Sequence, residues 1–130
     1  MHLKKEEGQA MVEFALVLPV LILILAGIID FGWIFFNTLN ANNACREATR
    51  YTAINYNEQG WNESTAASNA KTVLLNRDPA LSDAAVAATK VGEKITISFD
   101  CKINALTPLL TMVFKDGVFT KTISCTMRLE

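Results

Sequence analysis

Three cysteines, a glutamate at the edge of an apolar run and an aspartate inside that run are the residues of this chain best placed to do chemistry. Cys45, Cys101 and Cys125 are far apart in sequence, so none forms the closely spaced pair that a zinc loop requires, and the sole histidine, His2, lies near the N-terminus. The carboxylates Asp78, Asp83, Asp100 and Asp116 scatter over segments that read as loops and strand faces, with nothing to mark a catalytic pair. No Ser, His and Asp set and no glycine-rich phosphate loop is visible. The expectation is a protein that is not an enzyme, with no cofactor, no metal and no small-molecule substrate. Asn62-Glu63-Ser64 matches a glycosylation acceptor, but a pattern that short recurs by chance.

The two acids point to the element that must position them. Phe14 to Phe36 reads FALVLPVLILILAGIIDFGWIFF, with Asp30 its only charge. A bilayer core of about 30 Å is crossed by roughly 20 such residues in a helix, so this is a spanning segment. A cleaved secretory signal is the rival reading, but its apolar region runs to about 7–15 residues, and its basic leader would not carry Glu6, Glu7 and Glu13. Lys4 and Lys5 precede the span, which predicts the short N-terminus inside the cytoplasmic membrane and the residues after about 37 outside it. Asp30 falls about 25 Å beyond Glu13 along a helix axis, close to the outer interface, where it either reaches water or partners a basic group of another subunit. Pro19 removes one helical hydrogen bond and should bend the span slightly. Outside the cytoplasm thiols become oxidised, so three cysteines allow one disulfide with one left over. Cys45 is not a lipid anchor, because Ala41-Asn42-Asn43-Ala44 lacks the apolar residue a lipoprotein signal needs.

Composition excludes little else. Hydrophobic content is 51%, barely above the roughly 45–50% of a soluble domain, so the information is in its lopsided distribution. With 12 basic and 13 acidic residues there is no basic face for nucleic acid.

Beyond the span, Ala41, Ala44, Cys45, Ala48 and Tyr51 recur at helical spacing opposite Asn40, Asn43, Arg46, Glu47 and Arg50, which predicts that the helix continues outward and stops near Asn55 to Gly60. A short second helix is expected from a Ser64 cap to about Arg77, with Ala67, Ala70, Val73 and Leu74 as its stripe and Pro79 beyond its end. Ile95, Ile97, Phe99, Cys101 and Ile103 alternate with polar residues, as do Phe119, Ile123, Cys125, Met127 and Leu129, which predicts two antiparallel strands. Val86 to Val91, joined through Gly92-Glu93, is either a third strand or a helix. Asn104 to Gly117 holds Pro108, Leu109, Leu110, Met112, Val113 and Phe114, too apolar for a solvated loop, and should form a packed helical turn. The class is α+β: a long membrane helix continuing outward, a short second helix, and a sheet of two or three strands packed on the long helix. Cys101 and Cys125 lie on the apolar faces of the two strands and are the disulfide candidate if register brings their Cα atoms within roughly 4.4–6.8 Å; otherwise they are small buried residues.

Gly8-Gln9-Ala10-Met11-Val12-Glu13-Phe14 directly precedes the apolar run behind a short charged leader, and this resembles a type IV prepilin processing site. The string GQAMVEFALVLPVLILILAGIIDFG, with Ala-Thr-Arg-Tyr-Thr-Ala later and Met127-Arg128-Leu129-Glu130 at the end, is similar to the TadE-like family of tight-adherence pilus proteins. The resemblance is strong over residues 8 to 53 and weak beyond. It implies a leader of residues 1–8, a membrane helix over 9–36 and an extracytoplasmic domain over 37–130. In that family a prepilin peptidase cuts after the glycine, which here would remove His2 with the leader and leave a new amine on Gln9. Glu13 then stands at the fifth position and Phe14 next, and the family's glutamate is thought to meet a neighbouring subunit's terminal amine. Glu13 lies about 6 Å along the axis from Gln9 on the same face, and a carboxylate there also suits the positive end of the helix dipole. The implied protein is a minor pilin or pseudopilin of a Flp-type pilus or secretion system, with membrane lipid, the peptidase, other pilins and inner-membrane assembly proteins as partners. The competing expectation is an unprocessed membrane protein whose outer domain is an interaction module.

Overall fold

The computed structural model describes residues 3–112 and 115–130. Its first helix, α1, runs unbroken from Leu3–Glu58 and contains Pro19. Its 56 residues extend about 84 Å at the usual rise of ~1.5 Å per residue, far more than a bilayer needs. The inner stretch shows its side chains outward on every face: Leu16 is 71% exposed and Ile24 52%. Within α1, an 18-residue stretch of mean hydropathy 2.8 with none of it buried makes this the one helix long and apolar enough to cross a membrane among the described residues.

The outer half of α1 carries the rest of the molecule. Ala41, Ala44, Cys45 and Ala48 are fully buried as the sequence spacing predicts, whereas Tyr51, expected on the same face, is 44% exposed and the stripe continues instead through Ala53 and Tyr56. Small side chains let another backbone come close, and here that backbone is a sheet. The second helix, α2, spans Glu63–Arg77 and packs Ala66, Ala70 and Leu74 inward at a strict spacing of four. Ala67 and Val73 fall only partly under cover. The cap also differs from expectation: Asn62, not Ser64, accepts from the Thr65 amide at 2.8 Å, because its extended backbone aims the side chain over the first turn while Ser64 is exposed within the helix.

Three strands follow: β1 Ala87–Val91, β2 Lys94–Asn104 and β3 Val118–Arg128, all antiparallel in the order β1-β2-β3. The ambiguous Val86 to Val91 segment is thus a strand over its last five residues. Gly92 at φ +60° turns its hairpin, a left-handed value that suits glycine at the first position of a two-residue loop. β2 is central, and Ile95, Ile97, Phe99, Cys101 and Ile103 on one face form the core against α1. Between β2 and β3 the expected helical turn is α3, Pro108–Thr111, with Leu110 buried. Val113 and Phe114, also expected to pack there, lie outside the described residues, as do Met1 and His2. Gly117, at φ +67°, returns the chain into β3 where an added Cβ would meet Thr111 Cγ2 at 2.8 Å.

The cross-strand disulfide expectation is corrected by the register. Cys101 stands opposite Lys121 and Cys125 opposite Ile97, an offset of four residues or about 13 Å along the strand, well beyond bridging distance. Cys45 and Cys101 are buried and Cys125 is half-buried, with no two of them bridged in this structure.

Candidate processing and assembly site

Two stations on α1 carry the candidate chemistry. At the first, Gly8 to Phe14 is helical, and the positions from Gly8 onward are exposed. An added Cβ on Gly8 would meet nothing within 4 Å, so packing within this chain does not require glycine there. Gln9 Nε2 donates to Glu13 Oε1 at 3.3 Å, so the two residues share a helix face as their spacing predicts. Phe14 is 63% exposed, one of the large apolar residues that begin just beyond Gly8. The station presents a glycine, a carboxylate and an aromatic on an open helix, exposed among the described residues.

At the second station the structure departs from both expectations for Asp30. Its carboxylate neither reaches water nor faces outward toward another subunit: the residue is 0% exposed. Oδ1 accepts from the Leu106 amide at 3.1 Å and the Thr107 amide at 2.9 Å, and Oδ2 accepts from the Thr107 hydroxyl. A side chain with two acceptor oxygens in this position satisfies donors at the start of α3, where the chain turns into Pro108. Asp30 is therefore a clasp that fixes the β2–β3 connection to the end of the apolar segment nearer the sheet. It draws the connection against the apolar stretch of α1, where a groove of about 590 Å³ is lined by Pro19, Ile22, Leu23 and Ala26 of α1 with Thr107 and Pro108. Leu106 and Met112, 55% and 90% exposed, flank this contact. Sequence reasoning missed Leu106 and Thr107; the available signal was an acid at the outer edge of a span together with a Thr-Pro step that opens an apolar loop.

Further out, the domain is tied to the helix tip. Lys90 N donates to Glu63 Oε1 at 2.7 Å, and the Lys90 ammonium lies 4.9 Å from the Tyr56 ring centroid. At the C-terminus the Glu130 carbonyl accepts from Asn57 Nδ2 at 3.0 Å, and the Glu130 amide donates to the Ala53 carbonyl. Burial pushes the Cys45 thiol up to about 12, helped by the adjacent Cys125 thiol. Burial also raises Cys101, with the Asp78 carboxylate adding to the effect. Among the described residues no group of three or more His, Cys, Asp or Glu side chains is gathered as a metal site would need.

No curated protein and no solved structure matches the chain. A family model does, over the segment from Gly8 through the first alanine-faced turns beyond the apolar run: residues 8–50 match the model described as TadE-like protein.

Proposed function

We propose that the chain is a minor pilin or pseudopilin of a tight-adherence, Flp-type pilus or secretion system. It is inserted in the inner membrane with its N-terminus inside and its sheet domain outside, and a prepilin peptidase trims it after Gly8. The observation that carries the reading is the bare first station, where Gly8, Glu13 and Phe14 lie exposed on a helix that no other described part of the chain covers, directly ahead of an apolar stretch of spanning length. A fold that left these residues uncovered has reserved them for something outside itself. Cleavage would leave the Gln9 amine one helical turn from Glu13, and a second subunit's amine would find that carboxylate open. Gly8 is helical, so cutting requires the first turns to unwind in the peptidase; the absence of a side chain lowers the steric cost of the extended form.

The test is the intact mass and N-terminal residue of the full chain expressed with and without a prepilin peptidase, with Gly8→Ala as control. A terminus at Gln9 that depends on the peptidase and is lost in the variant is the expected result. An unchanged Met1 terminus would favour the unprocessed membrane protein, and a terminus beyond Phe36 would make the apolar run a signal.

A further inference from the structure

Cys45 is fully buried on the alanine stripe of α1, and its thiol donates to the Ile97 carbonyl of β2 at 3.6 Å. A cysteine side chain is short, so this contact places the helix backbone unusually close to the sheet. The flanking side chains explain the approach: Ala41, Ala44 and Ala48 are all at 0% exposure and none holds the two surfaces apart. Ile97 is the direct cross-strand partner of Cys125, and opposite residues of an antiparallel pair share a face. Cys125 therefore points at the same strip of helix and is partly buried against the core that holds Cys45. Cys101, four positions along β2 from Ile97, is outside this contact.

We propose that Cys45 and Cys125 form a disulfide that staples the long helix to β3 just above the membrane, leaving Cys101 as the lone thiol. The proposal rests on the outward orientation given above, because the bond needs an oxidising compartment. The oxidant is a disulfide carrier, either a thiol oxidoreductase or oxidised glutathione. One cysteine thiolate attacks the carrier disulfide and releases a carrier thiol. The second thiolate then attacks the mixed disulfide and releases the other. Two electrons pass to the carrier, whose two released thiols take up the protons that the cysteines gave up. The bond forms before the sulfurs are covered, since the buried Cys45 is a poor nucleophile once folded. It would bridge the two ends of the outer domain's chain, so that a pull on the sheet is carried covalently to the spanning helix.

The experiment uses the full chain. Membranes are prepared with N-ethylmaleimide present, denatured, and the cysteine peptides mapped without reduction; in parallel, purified protein in detergent is refolded with oxidised glutathione and mapped in the same way. Expected in both arms is a linked Cys45–Cys125 peptide, a mass two hydrogens below the trithiol, and maleimide on Cys101 alone. Cys101→Ser should retain the link, Cys45→Ser and Cys125→Ser should lose it, and reduction should lower the unfolding temperature by roughly 10 °C or more. Three labelled thiols after oxidative refolding, or a link that includes Cys101, would overturn the pairing. A link formed in detergent but absent from cells, with the loop at Glu93 protected from protease added outside spheroplasts, would support the pairing and overturn the orientation on which it rests.

Discussion

Between Met11 and Ile29 α1 exposes large apolar side chains all round, whereas between Ala41 and Ala53 its covered side is alanine and cysteine. Val20 and Ile29 are 57% and 56% exposed; Ala44 and Cys45 are at 0%. The larger hydrophobes are thus outside and the smaller ones inside, the reverse of a soluble helix. The inversion makes sense only if the inner half meets hydrocarbon, where a bulky apolar surface is solvated, while the outer half meets a sheet, where small residues permit close backbone approach. One helix therefore does two jobs, and the boundary between them is Asp30. The strongest way to break this comparison is to truncate one residue on each side of it. Ile97→Ala, beneath the alanine stripe, should cost about 3 kcal/mol in denaturant unfolding of the detergent-solubilised protein followed by near-UV circular dichroism. Leu21→Ala, in the bare half, should leave that transition where it was. Equal losses would mean that the inner half is packed within the protomer.

Asp30 itself sharpens the boundary. Asp30→Ala leaves the Leu106 and Thr107 amides without their acceptor and should destabilise the domain by about 2 kcal/mol, with faster hydrogen exchange at those two amides. Asp30→Asn keeps an oxygen for both amides and should recover most of the loss. If the acid instead served a basic group on another subunit, Asn would be as harmful as Ala to assembly while the exchange rates stayed unchanged.

Much of this was legible in the sequence because the relevant signals are local. The alternation of Ile95 to Ile103 fixes which face of β2 is buried, and the three-and-four spacing of Ala41 to Ala48 carries α1 past the membrane. The glycine, glutamate and aromatic ahead of a long apolar run carry the resemblance to the TadE-like family, and residues 8–50 match that family's model. What was not legible depends on register and docking. Whether Cys101 or Ile97 stands opposite Cys125 is decided by the length of the connection that holds α3, a quantity no residue pattern reports. Asp30 was read as facing outward because its partners lie in residues 106 and 107, far along the chain, and two of its three donors are a backbone amide and a hydroxyl of a single threonine. Cys45 and Cys125 were each placed on an apolar face, but only the close approach of helix to sheet makes them neighbours.

The smallest expected effect separates two candidate caps within the outer half. Asn62 Oδ1 accepts from the Thr65 amide at the start of α2, and the Asn62 carbonyl accepts from the Ala66 amide at 2.9 Å as the first helical bond. Asn62→Ala removes only the side-chain bond and should cost about 1 kcal/mol, the usual value for an exposed N-cap. Ser64→Ala, inside the first turn, should be neutral or slightly stabilising, since alanine is the better helix former. Neither change should alter hydrogen exchange at Leu106 or Thr107, because α2 packs on α1 and β1 and shares no hydrogen bond with the Asp30 clasp. A cap mutant that loosened those amides would show that the outer domain opens as one unit from its far end down to the membrane, and the clasp at Asp30 would then report the stability of the whole domain instead of holding its own corner.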